Sequence, residues 1–570
     1  MLLQRLKEYA DQRMDMPPTL YSETPVRYII ELDAQGRVLN PQPTDTADPA
    51  NPKTKRGQRR LMPQITRAVG ISPLLLADNA EYTLGLARET SKPERVVACH
   101  QAYLSLLDRC IAQTHHPALK AIQVFLNNDP VVQLQLSDDF DRGATMTFRV
   151  DGEFPTELDA VKRFWATEND PAGRDAKVMQ CIVCGEERPV LERLQGKVKG
   201  VPGGQTAGTS IISANAKAFE SYGLEASLIA PTCADCGERF TKAVNELLSD
   251  QSSRVIISGA AFIFWTRENV GFDFVTFLSQ AEPKQVRELI ETVRNGKHMP
   301  EVDDTAFYAT VLSGSGGRAV VRDWIDTTVG TVKDNLAIWF QRQNIVDDYG
   351  EEPRPLTLYQ LAGATVRELK DLPTTTPRAL LRAALTGTPL PMGMLYQTVR
   401  RNRAEQKVTR QRAALIKLVL LSQHGTSQEN IMAELDLQNT NVAYRCGRLL
   451  AVLAEVQRNA IGKAAIVDRF YGTASSAPAA VFGRLLRGAQ PHLTKLERDK
   501  PGVANALQRR LEEVMSTLNG FPTTLTLEEQ ALFALGFYHQ RAHDRAQMMA
   551  AAERKKAAGQ QVSTDELDAA

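Results

Sequence analysis

Cys181-Ile-Val-Cys184-Gly185 opens a stretch that Cys233-Ala-Asp-Cys236-Gly237 closes. Two Cys-x-x-Cys pairs can supply four thiolates to one tetrahedral ion, and the spacing predicts a structural Zn2+ on Cys181, Cys184, Cys233 and Cys236. A closed four-sulfur site crosslinks a loop and leaves no open position for catalysis. The glycine after each pair fits a tight turn that aims backbone N–H groups at the sulfurs. The intervening loop is longer than in a usual zinc ribbon, and unmetallated or redox-active thiols are the alternative. That loop carries Gly200-Val-Pro-Gly-Gly-Gln-Thr-Ala-Gly208 and Ser213-Ala-Asn-Ala-Lys-Ala-Phe-Glu-Ser-Tyr-Gly223. The expected fold is α+β: a mixed α/β domain over 1–345 with a zinc-binding and glycine-loop insertion at 177–240. A linker with a short helix follows at 346–377, then an all-α helical bundle at 378–555 and a disordered tail at 556–570.

Working outward, 570 residues leave room for two to four domains and a large core. The net charge is only +1, so no global field draws the chain to nucleic acid, and such contact must use local patches. No apolar run reaches the length of a membrane span. Leu2, Leu3, Leu6, Tyr9 and Ala10 make one face of an amphipathic helix, unlike a signal peptide. Cys99, Cys110 and Cys446 sit singly in helical patterns as small core residues, which fits a reducing cytoplasm.

The hydrophobic pattern sets the elements. Val26-Arg-Tyr-Ile-Ile-Glu-Leu32, Asp33-Ala-Gln-Gly36 and Arg37-Val-Leu39 read as a hairpin. Residues 94–128 read as helix, with His100, His115 and His116 as core or surface groups. Residues 144–150 alternate as a strand. The apolar run 255–266 reads as one central strand buried on both faces. Phe307–Leu312 and Arg318–Arg322 form a second hairpin, and a helix is expected through Trp324 and Trp339. Beyond Arg378 only helices are expected. Thr426-Ser-Gln-Glu429 and Thr526-Leu-Glu-Glu529 are capping boxes. Leu449, Val452, Leu453 and Val456 make one apolar face, and Leu507, Leu511, Val514, Met515 and Leu518 another.

Enzyme signatures are few. There is no Gly-x-x-x-x-Gly-Lys-Ser/Thr loop and no Gly-x-Ser-x-Gly turn. His539, His543 and Asp544 could be half a nuclease metal site, but with no partner cluster visible in the sequence a plain surface helix explains them better. The charge pattern says more. Lys53-Thr-Lys-Arg-Gly-Gln-Arg-Arg60 holds Lys53, Lys55, Arg56, Arg59 and Arg60 with no acid, either a solvated loop or a phosphate-binding arm. Arg400, Arg401, Arg403, Lys407, Arg410, Arg412 and Lys417 read as one helix with only Glu405 against them. At helical spacing Arg400, Arg403, Lys407 and Arg410 share a face that can track a backbone or simply be solvated. Gly203, Gly204 and Gln205 suit a minor-groove reader, because bare backbone comes close and an amide can donate to base edges.

Three stretches, in this order, resemble the large subunit of the type I-C CRISPR surveillance complex (Cascade), the Csd-one family. They are Pro73-Leu-Leu-Leu-Ala-Asp-Asn-Ala-Glu-Tyr-Thr-Leu-Gly85 with the basic loop before it, Gly204–Gly208 with Ala218–Gly223, and Ser313-Gly-Ser-Gly-Gly-Arg-Ala-Val-Val-Arg-Asp-Trp324. The C-terminal helices are similar to the family as well. The resemblance implies a non-enzymatic DNA-binding subunit that recognises the motif flanking the target, helps open the duplex and holds the displaced strand, while guide RNA reads the sequence. It implies a guide-RNA complex with backbone and RNA-processing subunits, small subunits and a recruited helicase-nuclease, and no membrane. Lys53, Lys55, Arg56, Arg59 and Arg60 would grip the duplex, with Asn79 and Gln205 at base edges. Gly203, Gly204, Arg318 and Arg322 would lie near the DNA. Arg400, Arg403, Lys407 and Arg410 would support the displaced strand. The family also makes a small subunit from an internal start, for which Met432 is the candidate; a core methionine is the plainer reading. The alternative function is a zinc-stabilised, metal-dependent nuclease using His539, His543 and Asp544.

Overall fold

The structure, a computed structural model, describes every residue except 17, 19, 49, 52–55, 66–69, 89–90, 170–176, 195, 215, 296–298, 348–353, 425–430 and 566–570. The chain forms two compact units. The first holds residues 1–200, 205–246 and 316–318; the second holds 201–204, 247–315 and 319–570.

In the first unit the order is α1 (Leu2–Arg13), β1 (Tyr21–Val26), β2 (Tyr28–Leu32), β3 (Thr44–Asp45), β4 (Gln58–Pro63), β5 (Ala77–Asp78), α2 (Ala80–Thr83), α3 (Pro93–Thr114) and α4 (Pro117–Asn127). Then come β6 (Met146–Val150), α5 (Asp159–Glu168), β7 (Val178–Gln180), β8 (Glu187–Pro189) and α6 (Ala234–Ser249). A four-stranded sheet runs β3-β2-β6-β5, and β1 pairs with β4. The strand expected at 144–150 is present as β6. It lies parallel to β2, Ile30 opposite Phe148, and α3 and α4 fall in the long connection that a parallel pair requires. Ile30, Phe148, Phe125, Tyr103 and Trp165 are the heart of the core. The return strand expected at 37–39 makes only a single bridge, Leu32 to Val38, because β3 and β6 take the two edges of β2.

The helix expected over 94–128 breaks in two. His115 is left-handed at φ 52°, and His116 caps α4 by accepting from Ala118 N at 3.3 Å. His100 Nδ1 lies 2.9 Å from the Tyr82 carbonyl oxygen. The three histidines are thus structural.

In the second unit the order is β9 (Arg254–Ile257), β10 (Ala260–Thr266), α7 (Phe274–Gln280), α8 (Pro283–Arg294), α9 (Pro300–Asp303), β11 (Ala306–Ser315), β12 (Arg318–Thr328) and α10 (Val329–Gln343). There follow α11 (Leu358–Gly363), α12 (Thr375–Thr386), α13 (Met392–Glu405), α14 (Arg410–His424), α15 (Val442–Ile461), α16 (Ala465–Ala474), α17 (Phe482–Asp499), α18 (Pro501–Met515) and α19 (Leu527–Asp565). The sheet order is β12-β11-β10-β9. The run 255–266 is therefore a hairpin and not one strand. Ser258 and Gly259 turn it with φ of 49° and 73°, the left-handed pair that a two-residue hairpin needs. Trp324 lies on β12, not on a helix, and stacks on Tyr308 with centroids 5.8 Å apart. Phe264, Phe307, Val332, Leu336 and Phe340 pack between this sheet and α10 in the core of the unit.

The C-terminal half is helical, as expected. Helix α15 is its axis, buried at every position from Ala443 to Val456 and not only on one face. Its charged groups are paired. The Arg448 guanidinium donates to Glu513 and to Gln540 Oε1, and Arg445 Nε donates to the Asn439 carbonyl at 2.6 Å. The capping box at Thr526 is present, with Glu529 N donating to Thr526 Oγ1 at 3.3 Å and Thr526 N donating to Glu529 Oε2 at 2.7 Å. The box at 426–429 lies outside the described residues. Helix α19 runs to Asp565, past the start of the expected disordered tail. Met432 sits in the irregular segment between α14 and α15 with 51 % of its surface exposed, which removes the core-methionine reading.

Candidate metal centre and nucleic-acid interface

Strands β7 and β8 pair with Gln180 opposite Glu187, so Cys181 to Glu186 form the knuckle between them. Cys181 N donates to Glu186 O at 2.9 Å, Gly185 N donates to Cys181 O at 2.8 Å, and Gly185 has φ 78°. The second pair is built differently: Cys233 precedes α6 and Cys236 lies in its first turn. Gly237 is helical, and what it supplies is space, since a Cβ there would stand 2.7 Å from Leu194 Cδ2. The expectation of two like turns holds for Gly185 only.

A bridge from Val190 to Cys233 and a bond from Leu191 N to Thr232 O at 3.0 Å bring the pairs together. The four Sγ atoms lie within 4.8 Å of one another. A zinc tetrahedron with Zn–S of about 2.3 Å has edges of about 3.8 Å, so this donor set fits one ion. Cys233 N donates to Cys181 Sγ at 3.4 Å. Burial opposes ionisation of Cys181, yet backbone N–H groups of Cys184, Cys233 and Val183 bring its thiol down to about 7. Burial pushes Cys233 and Cys236 up. Hydrogen bonding to sulfur is what a metal thiolate site uses to hold its charge. Among the described residues, no other group of three or more His, Cys, Asp or Glu side chains gathers closely enough to hold a metal.

The His539, His543 and Asp544 set is therefore not brought together as a metal site. His539 is 1 % exposed, and its Nδ1 lies 2.9 Å from the Tyr444 hydroxyl. Burial, with the Lys417 charge adding to it, pushes the imidazole down to about 3. Asp544 is buried, with Arg510 at 2.9 Å and Gln540 Nε2 at 3.0 Å. His539 ties α19 to α15 through Tyr444, and Asp544 ties it to α18 through Arg510.

The basic arm divides. Lys53 and Lys55 lie outside the described residues. Arg56 is an exposed turn residue, whereas Arg59 and Arg60 lie on strand β4 and not in a loop. Arg59 is exposed, with Nε 3.4 Å from Glu23. Arg60 lies 4.0 Å above the Phe154 ring. Asn79 caps the short α2 through Oδ1, which accepts from Glu81 N at 3.1 Å.

Gly203 and Gly204 pass against Gly314 in the second unit. Gly314 N donates to Pro202 O at 2.7 Å, and a Cβ on Gly314 would meet Gly204 N at 2.0 Å. In the first unit Ser210 N donates to Gly317 O at 2.9 Å, and the exposed Gln205 side chain lies beside Gly317. Two of the quoted glycine stretches thus touch, which no local sequence pattern could reveal. Arg318 stacks 3.8 Å from the centroid of Phe219, and Arg322 Nε donates to Ser313 Oγ at 2.8 Å.

The cations from Arg400 to Lys417 are not on one helix. Helix α13 ends at Glu405, Gln406 turns left-handed at φ 46°, and α14 starts at Arg410. Glu405 accepts from both Arg401 and Arg412 across that corner, and Arg412 Nη1 also donates to Lys407 O at 2.9 Å. Arg410 donates to the Arg354 carbonyl at 2.6 Å and is drawn inward. Lys417 is buried with Nζ 2.7 Å from Asn344 O, and burial pushes its ammonium down to about 8. Arg400, Arg403 and Lys407 stay exposed. Arg400 lines a 640 Å³ cleft whose wall includes Arg367, a cation the sequence pattern did not single out. Only its place opposite α13 in the fold marks it.

A family model described as CRISPR-associated protein (Cas_Csd1) matches residues 2–544. The chain belongs to that family. The Cas_Csd1 chain is accordingly a large subunit of type I-C Cascade, as its three quoted stretches implied. No curated protein sequence matches it. Among the described residues no helix is long and apolar enough to cross a membrane.

Proposed function

We propose that this Cas_Csd1 chain reads the short motif flanking a target, helps open the duplex there and holds the displaced strand. The observation that carries the strand-holding part is the exposed set Arg400, Arg403 and Lys407, with Arg400 bordering the cleft that Arg367 also lines. Cations left free by the fold can exchange counterions for phosphates, whereas Arg401, Arg412 and Lys417 are engaged internally. At the duplex, Lys53, Lys55, Arg56, Arg59 and Arg60 grip phosphates, with Gln205 and Asn79 at base edges and Gly203, Gly204, Arg318 and Arg322 beside them. A single Zn2+ on the four cysteines is structural and holds the loop that carries Gln205. Partners are a guide RNA with backbone and RNA-processing subunits, small subunits and a recruited helicase-nuclease, and the reading assigns this chain no catalysis.

The test uses the complex purified from cells, with Arg400, Arg403 and Lys407 changed to Gln. The logarithmic salt slope for opened target DNA should flatten by about 0.7 per lost single-strand contact, with intact-duplex binding largely unchanged. An unchanged slope and unchanged opening kinetics would remove the strand-holding role. Metal-dependent cutting by the purified chain, abolished by His539→Ala, would restore the nuclease reading.

A further inference from the structure

Between the two cysteine pairs the chain makes a sharp turn at Ser221-Tyr-Gly-Leu224. Leu224 N donates to Ser221 O at 2.9 Å, and the two residues form an isolated antiparallel bridge. Both central residues are left-handed, Tyr222 at φ 54° and Gly223 at φ 71°, the arrangement of a mirror-image two-residue turn. Glycine adopts that conformation freely; tyrosine does so against its Cβ. Asn, Asp or Gly is the ordinary occupant of the first position.

Tyr222 is also 98 % exposed, so its ring packs on nothing that would offset the strained backbone. A large aromatic ring held in solvent on a hydrogen-bonded turn has no folding role there. Three residues earlier lies Phe219, 42 % exposed, with the Arg318 guanidinium 3.8 Å from its ring centroid. Phe219 is held by its own short turn, Phe219 N donating to Ala216 O at 2.9 Å. The two turns together with Arg318 thus offer two exposed aromatic rings and one planar cation, all within the first unit. Flat rings beside a guanidinium are the surface on which unpaired bases stack, and the same cation attracts phosphate.

We infer that Tyr222 is a base-stacking residue: its exposed ring, carried on a left-handed turn three residues after Phe219, takes one unpaired base of the bound nucleic acid. This inference rests on the DNA-binding reading above and adds a residue to it.

The experiment uses the complex purified from cells and DNA carrying a short unpaired bubble, with 2-aminopurine placed at successive bubble positions. The native complex should quench the fluorophore at one position. Tyr222→Ala should abolish that quenching and weaken bubble binding roughly five- to a hundredfold, while Tyr222→Phe keeps both. Because the side chain is exposed, the thermal midpoint of Tyr222→Ala should equal that of the native chain, which separates lost stacking from lost folding. Equal bubble affinity and equal fluorescence in the native and Ala complexes would overturn the inference and leave the DNA-binding reading standing. Loss of a co-purifying protein subunit from Tyr222→Ala, with DNA affinity unchanged, would make the ring a protein anchor and also overturn it. Failure of the native complex to bind any DNA would overturn the DNA-binding reading and this inference with it.

Discussion

Gly447 on α15 and Gly536 on α19 are reciprocal contacts. A Cβ on Gly447 would stand 2.0 Å from the Phe533 carbonyl oxygen, and one on Gly536 would stand 2.0 Å from the Tyr444 carbonyl oxygen. The two backbones therefore touch at a crossing that only paired glycines permit. Gly447→Ala and Gly536→Ala should each lower stability by roughly 1–3 kcal/mol or more, since neither carbonyl can yield without bending its helix. Gly393, on α13 with open space around it, is the control: Gly393→Ala should be neutral or stabilise by up to about 1 kcal/mol. Denaturant midpoints compare the three, and an undisturbed midpoint for the double substitution would show that the helices can slide apart at no cost.

Metal analysis of protein purified without chelator should find about one zinc per chain. Cys181→Ser should lose it, because Cys181 both sits within the sulfur cluster and accepts the Cys233 N–H that ties the pairs together. Chelation should loosen the 205–223 segment of the first unit before the second unit, and limited proteolysis would detect that order of cleavage. Metal-free protein with the same protease pattern would deny the ion a structural role.

Acid should reach this protein through His539. Its folded pKa of about 3 lies below the unfolded value, so the unfolded chain binds more protons between about 6.5 and 3. Stability is complete above pH 6.5 and declines as pH falls through that window, by up to about 1.4 kcal/mol per unit. The groups facing His539 are the Tyr444 hydroxyl and Lys417, neither of which titrates there. His539→Gln keeps an amide to bond Tyr444 and should flatten the slope of stability against pH in that window. A variant with the native slope would place the acid sensitivity elsewhere.

Expression of the intact gene should yield a second, smaller product beginning at Met432 or Ala433. Helices α15 to α19 all lie beyond that point, and Met432 itself is an exposed residue of the connecting segment. Synonymous recoding of Gln428 and Glu429 should remove the small product and spare the full chain. Mass analysis of the small band decides the start, and a product beginning elsewhere dismisses Met432.

What the sequence disclosed was local chemistry. The cysteine pairs, the Thr526 capping box and the strand β6 each depend on residues close in the chain, and each is present in the structure, although Thr147 is as buried as Met146 and Phe148 on either side of it. The turn at Ser258-Gly259 escaped because the apolar residues on both sides outweighed a two-residue Ser-Gly signal that does mark turns. The break at Gln406 escaped because arginine and lysine favour helix on both sides, and the left-handed residue is not a glycine. The burial of Arg412 and Lys417 could not be read at all: it depends on Glu405, Asn344 and the Lys407 carbonyl arriving from other turns of the fold. Tyr222 escaped because neither its left-handed backbone nor its exposure is written in the local pattern.

Glu405 gives the corner between α13 and α14 a consequence for anyone redesigning this protein. A protein engineer seeking tighter nucleic-acid binding would delete the lone acid among those cations. Yet Glu405 accepts from Arg401 and from the buried Arg412. Its removal would leave an arginine unneutralised in the interior and unlatch the corner, so Glu405→Gln would trade a stronger surface potential for a misdirected one. Added charge is better placed at Gln397, which lines the Arg400 cleft.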